Sequence, residues 1–266
     1  MRVREQALVL RRFPYGESSL LVHALTTQLG RVSLLAKGAY RLHSGYFGVL
    51  DYFDTLRITL QTHPGSDLSL LASAEVQTRR KRVCADLTRY PAGLACLELA
   101  WLGSREGHEE VGLFLLVEKA LDLLESGQVS PQVVESAFEL HFLQERGWTP
   151  VLEACASCGQ KLEALRSGAS TAVFSPSFGG QLCAPCARQA RTRHVTLATL
   201  PWSALRVARS LLETPLDLLP RLRLDPAQAE RVRGFVRRFL EYHLEVWPRS
   251  FGDSVRGRPN LRKKIR

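Results

Sequence analysis

Residues 5–37 read EQALVLRRFPYGESSLLVHALTTQLGRVSLLAK, and they determine the fold expected for the N-terminal part of the chain. The stretch contains three short segments rich in valine, leucine and threonine, at residues 5–13, 19–26 and 31–37. Turn-forming residues separate them, with Pro14 and Gly16 in the first break and Gly30 in the second. Short apolar segments bounded in this way are typical of β-strands. The stretch therefore predicts three consecutive strands.

Two further segments of the same kind follow at residues 52–61 and 67–77, which gives five short strands within about 75 residues. Five strands of this length suit a small barrel. One such barrel is the OB-fold, an architecture that binds single-stranded nucleic acid, and another is the SH3-like barrel. Periodicity alone does not separate the two.

The middle and the end of the chain have helical spacing. Between residues 84 and 147, one apolar face consists of Leu113, Phe114, Val117, Leu121 and Leu124, and another of Val134, Phe138, His141 and Phe142. Ser130-Pro131 predicts a helix start, since serine can cap free N–H groups and proline suits the first helical position. Thr214-Pro215 and Asp225-Pro226 predict two more helix starts.

Four cysteines form the strongest chemical signal in the sequence. Their spacing is C-x2-C-x24-C-x2-C, and they are Cys155, Cys158, Cys183 and Cys186. Two C-x2-C turns can direct four thiolates at one zinc ion, with Zn–S bonds of about 2.3 Å. Because four cysteines leave no open coordination position, this pattern predicts one structural zinc ion within residues 151–194.

Other uses of these cysteines stay open at this point. A redox C-x-x-C usually occurs singly beside a thioredoxin-like βαβ pattern, which is absent, and iron–sulfur clusters have tighter common spacings. The start of the sequence has no export signal and no stretch approaches the length of a membrane span, so we expect a reducing, cytoplasmic compartment that disfavours disulfides. Cys84 and Cys96 are expected to be core thiols.

The charge is distributed unevenly. The net charge is +10 and the isoelectric point is near 9.7, which favours a polyanionic partner such as nucleic acid. Residues 1–83 carry a net charge of +6 and residues 248–266 also carry +6, whereas residues 84–150 carry −7. A polyanion is therefore expected to contact the N-terminal barrel, the cysteine-bearing region or the C-terminal tail.

Ten basic residues are the candidate nucleic-acid contacts. They are Arg31, Lys37 and Arg41 in the barrel, Arg79, Arg80, Lys81 and Arg82 after it, and Arg188, Arg191 and Arg193 beyond the last cysteine. Several cations on one surface release counterions together when they meet phosphates. Exposed aromatic residues could add base stacking, and the candidates are Tyr15, Tyr40, Tyr46, Phe47 and Tyr52.

No motif for catalysis was found. The sequence has no phosphate-binding G-x-x-x-x-G-K-[ST] loop, and His108-Glu109-Glu110 lacks the second histidine of a zincin because residue 112 is glycine. We therefore predict a binding protein and not an enzyme. Two alternatives remain, namely an RNA-binding or ribosome-associated zinc protein and a nucleic-acid-modifying metalloenzyme.

The order of motifs resembles the RecO family of bacterial recombination mediators. The similar positions are residues 7–10, 15–18, 26, 30–32, 36–39 and 41 near the start, then residues 147–159, 174–175, 179–180 and 183–186 around the cysteines. The match is patchy, but it spans residues 7–186. The joint occurrence of these motifs is more specific than either part.

The resemblance implies an α+β fold with an N-terminal five-stranded OB-fold barrel, an α-helical domain and an inserted four-cysteine zinc-binding region. The corresponding boundaries are 1–82 for the barrel, 83–150 with 195–248 for the helical domain, 151–194 for the zinc region and 249–266 for a basic flexible tail.

The resemblance also implies a function in recombinational DNA repair. A family member would bind single- and double-stranded DNA, anneal complementary strands, act with RecR on single-strand-binding protein, and help to load RecA at the nucleoid. Lys37 and Arg41 lie on the family's basic motif and are the DNA contacts implied by it. Tyr40 stands where a basic residue is common, so stacking could replace one phosphate contact there.

Overall fold

The computed structural model describes residues 2–62, 66–162 and 170–251. The N-terminal part is a closed barrel with strand order β1-β2-β3-β5-β4, in which β3 and β5 run parallel and the other neighbours run antiparallel. The strands are β1 (Arg2–Tyr15), β2 (Ser19–Thr26), β3 (Arg31–Ala36), β4 (Thr55–Gln61) and β5 (Leu68–Thr78). The predicted five-stranded OB-fold is therefore confirmed, and closure removes the free strand edges that an open sheet would expose.

The barrel closes because β1 is long enough to pair on both sides. Residues 2–8 pair with β4 and residues 7–15 pair with β2. The register with β2 shifts between Val9 and Arg11, and such a bulge bends a strand and increases its twist. The inward side chains form a core of their own that includes Val9, Leu20, Val22, Leu34, Leu56, Ile58 and Leu60.

The described part of the chain outside the barrel is mainly helical. Its α-helices are α1 (Lys81–Ala85), α2 (Arg89–Gly103), α3 (Val111–Ser126), α4 (Pro131–Glu145), α5 (Ala184–Thr192), α6 (Trp202–Glu213) and α7 (Pro226–Leu244). The first predicted apolar face is buried throughout, and in the second face only His141 is partly exposed. All helices except α5 surround one hydrophobic core. No helix among the described residues is both long enough and apolar enough to cross a membrane.

The three predicted helix starts have different outcomes: two precede α-helices, one of them with a side-chain cap, and the third precedes a 3₁₀ helix. Asp225 caps α7, since its carboxylate accepts a hydrogen bond from the Ala227 N–H at 2.9 Å. Ser130 precedes α4 with Pro131 in the first turn, but its side chain makes no capping hydrogen bond. Pro215 precedes a short 3₁₀ helix (Leu216–Arg221) instead of an α-helix, because Pro220 lacks the N–H that a longer helix needs.

The cysteine-bearing region carries a second, three-stranded sheet in the order β7-β6-β8. Its strands are β6 (Thr171–Ser175), β7 (Gly180–Leu182) and β8 (Ala198–Pro201). The last of these lies beyond the predicted boundary at residue 194. Of the predicted basic tail, only residues 249–251 are described, and there the Glu98 carboxylate accepts hydrogen bonds from the backbone N–H groups of Arg249 and Ser250. Residues 252–266 lie outside the described residues.

Arg80 joins the barrel to the helices. Its guanidinium donates hydrogen bonds to the Phe53 carbonyl at 2.7 Å, to Thr55 Oγ1 at 3.0 Å and to Asp122 Oδ1 at 2.7 Å. Only 1% of Arg80 is exposed. The prediction that Arg80 contacts nucleic acid is therefore wrong, because its guanidinium is buried and already pairs with the carboxylates of Asp122 and Glu118.

The acidic face of α3 completes this junction. Glu118 accepts a hydrogen bond from Thr55 Oγ1 at 2.7 Å, and Glu125 accepts one from the Val83 N–H at 3.0 Å. With Asp122 these residues occupy positions i, i+4 and i+7 of one helical face. Part of the negative charge of residues 84–150 is thus directed at the barrel and its linker.

A second buried charge cluster lies between α4 and α7. Arg233 Nε is 3.8 Å and Arg237 Nε is 3.6 Å from Glu139 Oε1, and both arginines also contact Glu135. Glu139 is fully buried. Burial, followed by repulsion from Glu135, raises the pKa of Glu139 to about 8 despite the two arginines.

Replacing Arg80 tests the junction. We expect Arg80→Met to lower the free energy of unfolding by about 3–5 kcal/mol, because it removes the buried donor to the Phe53 carbonyl and Thr55 Oγ1 and leaves the partly buried Glu118 carboxylate without its cation. Urea unfolding followed by circular dichroism measures this loss. The neighbouring Arg82→Met variant is the control, since Arg82 is exposed, and we expect a change within about 0.5 kcal/mol. Equal stability of the two variants would contradict the role given to Arg80.

Replacing Glu139 tests the buried cluster. The unfolded chain releases this proton near the ordinary value of 4.5, whereas the folded chain retains it up to about 8. The folded state thus binds more protons between these values, so stability falls as pH rises through this interval. We expect Glu139→Gln to reduce that fall by at least about 1.4 kcal/mol, the equivalent of one pKa unit.

Thermal unfolding at pH 5 and pH 8 measures the effect of Glu139→Gln, with the exposed Glu109→Gln as control. A variant less stable than the parent at pH 8 would instead indicate that Glu139 is ionised and stabilised by Arg233 and Arg237.

Candidate metal centre and nucleic-acid interface

The four predicted cysteines converge on one point. All four Sγ atoms lie within 4.8 Å of one another, and those of Cys158 and Cys183 are 3.8 Å apart. Metal–sulfur bonds of about 2.3 Å in a tetrahedron place the sulfur atoms about 3.8 Å apart. The arrangement therefore fits one tetrahedrally coordinated metal ion if the longer sulfur–sulfur distances shorten slightly.

Backbone turns hold the thiols in this arrangement. In the first turn, the N–H of Gly159 donates to the Cys155 carbonyl at 2.8 Å, and Gly159 adopts a φ of +75°, which glycine accepts at little cost. In the second turn, Cys183 is the N-cap residue of α5, its carbonyl accepts a hydrogen bond from the Ala187 N–H at 2.8 Å, and Cys186 lies in the first turn of the helix. Each cysteine pair is thus fixed by its own local structure.

Hydrogen bonds to the sulfur of Cys155 favour its thiolate, whereas the pKa of Cys158 is raised and burial raises the pKa of Cys183 to about 12. Although burial opposes ionisation of Cys155, the backbone N–H groups of Cys183, Cys158 and Ser157 lower its pKa to about 6. Such secondary contacts orient metal ligands and tune their basicity. The apolar residues packed around the cluster are few, and among them Leu182, Ala187 and Ala190 are buried. A bound metal would therefore replace much of the missing core.

Lys37 and Arg41 lie on an exposed loop, here called the β3–β4 loop (residues 37–54). Tyr46 fixes the loop to the barrel through a hydrogen bond from its hydroxyl to the Leu71 carbonyl at 2.7 Å. Tyr40 is also exposed. The structure thus brings two of the predicted cations and one predicted stacking residue together at the barrel surface.

Two large apolar side chains on the same loop are also exposed, of which Phe47 was a predicted stacking residue and Leu42 was missed by sequence reasoning. Leu42 is 91% exposed and Phe47 is 84% exposed. Single exposed apolar residues are common, but two of them beside Lys37 and Arg41 create a mixed cationic and apolar surface. Such a surface suits a partner with charged phosphates and apolar base faces.

Arg31 occupies a different position from Lys37 and Arg41. Its guanidinium donates to the Trp101 carbonyl at 2.9 Å, pairs with Glu106 at 3.4 Å and lies 4.3 Å from the centre of the Trp101 ring. The guanidinium of Arg11 also lies 4.3 Å from that ring centre. Arg31 therefore supports the contact between the barrel and α2, and little of its charge remains available to a ligand.

The remaining predicted cations divide between the junction and the cysteine region. Arg79 donates to the Gly48 carbonyl at 2.9 Å, while Lys81 and Arg82 are exposed. Arg188, Arg191 and Arg193 are exposed on or just after α5, whose opposite face is buried. They form a separate basic patch on the cysteine region.

Comparisons with known proteins agree with this architecture. The family model for the Recombination protein O N terminal matches residues 1–79, and the model for the Recombination protein O C terminal matches residues 84–251. A DNA repair protein RecO from Roseiflexus sp. (strain RS-1) is 33% identical over 257 residues, covering 95% of this chain and 86% of that protein. Another from Anaeromyxobacter sp. (strain Fw109-5) is 31% identical over 259 residues, covering 96% of each chain.

The chain belongs to the RecO family. The resemblance noted in the sequence is thus confirmed over nearly the whole length, and a general role in DNA repair and recombination follows from membership.

Further exposed cations on the barrel of this RecO family member were not predicted. Arg2 and Arg4 alternate along β1, and Arg57 lies on the adjacent strand β4, opposite Gln6. All three arginines are exposed, although Glu75 lies opposite Arg57 on β5. The period-two alternation of β1 could have indicated the first two, whereas the position of Arg57 depends on strand register.

Replacing one thiol tests the metal centre. We expect Cys158→Ser to reduce bound metal from one ion per chain to near zero, because the fourth thiolate completes the site. Inductively coupled plasma mass spectrometry of the purified full chain measures this. Cys84→Ser is the matched control, since Cys84 is not among the four clustered cysteines, and it should retain the metal. Equal metal content in both variants would contradict the site.

Proposed function

We propose that this chain binds single- and double-stranded DNA through its barrel and anneals complementary strands without catalysing a covalent step. The single observation that carries the proposal is the β3–β4 loop, which carries Lys37 and Arg41 together with the exposed Tyr40, Leu42 and Phe47. Cations there would neutralise phosphates, and the apolar side chains would contact unstacked bases.

The proposed mechanism of annealing is electrostatic. Two strands repel each other through their phosphates. A protein surface that neutralises the phosphates of both strands lowers this repulsion and allows their bases to meet. Arg2 and Arg4 add exposed cations at the start of β1, whereas Lys37 follows β3 at the level of the end of β1. Base pairing between the strands would then supply the sequence specificity.

We further propose that the metal is zinc and that its role is structural. Four cysteine ligands favour zinc or an iron–sulfur cluster, and the fit to a single tetrahedral ion favours zinc. Zinc would hold the cysteine region folded and so present Arg188, Arg191 and Arg193 on α5 as a secondary contact for DNA. Arg79, Lys81 and Arg82 are proposed contacts at the junction.

The wider role rests on family membership. We propose that the chain acts with RecR to displace or remodel single-strand-binding protein and thereby helps to load RecA, in the cytoplasm and at the nucleoid. An RNA-binding protein would share the charge and the metal site, and parallel titrations with single-stranded RNA and DNA of one sequence separate the two functions. A metalloenzyme would require a ligand to the metal other than cysteine, which metal spectroscopy would detect.

The salt dependence of binding tests the proposed contacts. For single strands, log K falls with log salt by about 0.7 for each neutralised phosphate, so Lys37→Gln with Arg41→Gln should reduce the slope by about 1.4. Fluorescence anisotropy with a labelled oligonucleotide measures the slope. Arg231→Gln with Arg238→Gln removes the same charge from the exposed face of α7 and should leave the slope unchanged.

A strand-annealing assay tests the function itself. Complementary strands coated with single-strand-binding protein should anneal faster with the full chain, in the absence of nucleotide, and the Lys37→Gln, Arg41→Gln variant should lose most of this acceleration. Addition of RecR tests the proposed partnership in the same assay. DNA affinity independent of salt, or equal annealing by both proteins, would refute the proposed mechanism.

A further inference from the structure

A cavity lies at the junction between the barrel and the helices, next to Arg80. Its volume is about 430 Å³, within the range of about 300–1,000 Å³ that small-molecule sites occupy. The side chains at its rim are Arg12, Arg79, Lys81, Cys84 and Tyr90, all exposed at least in part, so the cavity opens to solvent. The family-level function assigns no role to it.

Aromatic rings form part of the cavity wall. The Tyr90 ring lies edge-on to Phe53, with ring centres 5.3 Å apart, and Tyr52 contacts Phe53 at 6.1 Å. The Arg12 guanidinium lies 5.0 Å from the centre of the Tyr52 ring. Both tyrosines are only partly packed into the protein. They offer ring surface on which a flat, aromatic group could stack.

The cavity contains both positively charged side chains and carboxylates. Arg12 pairs with Asp51, and Arg79 pairs with Asp54 at 3.3 Å. Guanidinium and ammonium groups bind phosphate, whereas carboxylates accept hydrogen bonds from the amino groups of bases. Lys81 adds an exposed cation at the rim. A ligand that carries both a phosphate and a base would use both kinds of group.

The cavity is continuous with the β3–β4 loop. Arg12 Nη1 donates to the Leu50 carbonyl at 3.2 Å, and Arg79 Nη2 donates to the Gly48 carbonyl at 2.9 Å. The same two arginines that line the cavity thus hold the end of the loop that presents Phe47. A polymer lying along the loop would reach the cavity without leaving the protein surface.

We propose that this cavity receives one unstacked nucleotide of a single DNA strand that lies along the β3–β4 loop. Its base stacks on the tyrosine rings and its phosphate contacts Lys81 and the guanidinium of Arg79. A base within a duplex cannot enter, because pairing and stacking hold it in the helix. The cavity therefore distinguishes single strands from duplexes. This inference rests on the proposed DNA-binding function.

Cys84 is exposed and lines the cavity, so the predicted core position is wrong for this cysteine, although Cys96 is buried as predicted. The Cys84 thiol provides a direct test. Alkylation of Cys84 in the full chain by N-ethylmaleimide is followed by peptide mass spectrometry, with and without a single-stranded oligonucleotide. At DNA concentrations about ten times the Kd, mass action leaves about one chain in eleven free, so alkylation should slow by about tenfold. A duplex of the same sequence, at an equally saturating concentration, should leave the rate nearly unchanged.

Two variants separate the cavity from the rest of the DNA surface. Tyr90→Leu retains apolar volume against Phe53 but removes the stacking ring, and it should weaken single-strand affinity by about tenfold. Lys81→Gln is the milder change and should weaken it by about threefold. Tyr90→Leu should leave duplex affinity unchanged, because the ring contacts only an unstacked base. Arg206→Gln, on the exposed face of α6, is the matched control and should alter neither affinity.

The possible results discriminate between this inference and the proposed function. Salt-dependent DNA binding with Cys84 unprotected overturns the cavity assignment and leaves the DNA-binding proposal standing. Equal protection by duplex and single strand also overturns it. Absence of any DNA binding refutes both proposals. Protection by a peptide of a partner protein, with none by DNA, would reassign the cavity to protein recognition.

Discussion

The buried guanidinium of Arg80 is the interaction on which the two-part architecture depends. It binds the barrel through the Phe53 carbonyl and Thr55, and it binds the helices through Asp122 on α3. Phe53 has a φ of +72°, a conformation that is unfavourable for a residue with a side chain by about 1–3 kcal/mol. Burial of its ring and the hydrogen bond from Arg80 to its carbonyl offset that strain. The basic barrel and the acidic helix thereby stabilise one another.

A second set of contacts holds the opposite side of the same junction. The turn between β2 and β3 bonds to the segment after α2, with the N–H of Arg31 donating to the Arg105 carbonyl at 2.9 Å. A Cβ atom at Gly30 would lie 2.2 Å from that carbonyl oxygen, so only glycine permits the approach. Trp101 adds its contacts with Arg11 and Arg31. With the barrel held at two places, the cavity and the β3–β4 loop keep a fixed relation to each other.

The sequence predicts the features that depend on residues close together in the chain. It does not predict the features that depend on residues far apart in the chain. The strands, the apolar faces of α3 and the cysteine cluster follow from spacing within a few residues or from ligand chemistry. Arg80 lies in a run of four basic residues, and composition alone does not show which of the four is buried. Its burial is decided by Asp122, 42 positions away, and that of Arg31 by Trp101, 70 positions away. Such pairings require the tertiary fold, and so does the cavity they enclose.

The metal centre and the Arg80 junction stabilise different parts of the molecule by different means. The cysteine region has few buried apolar residues of its own, so ligand bonds must supply what a hydrophobic core supplies elsewhere. It is nevertheless attached to the helical core, because Phe174 on β6 packs against Phe235 on α7 with ring centres 4.6 Å apart. Loss of the metal would therefore loosen the α5 patch first and reach the helices through this contact and the packing of Ala172 and Leu200 in the helical core. The barrel, whose core is separate, would keep its own surface for DNA.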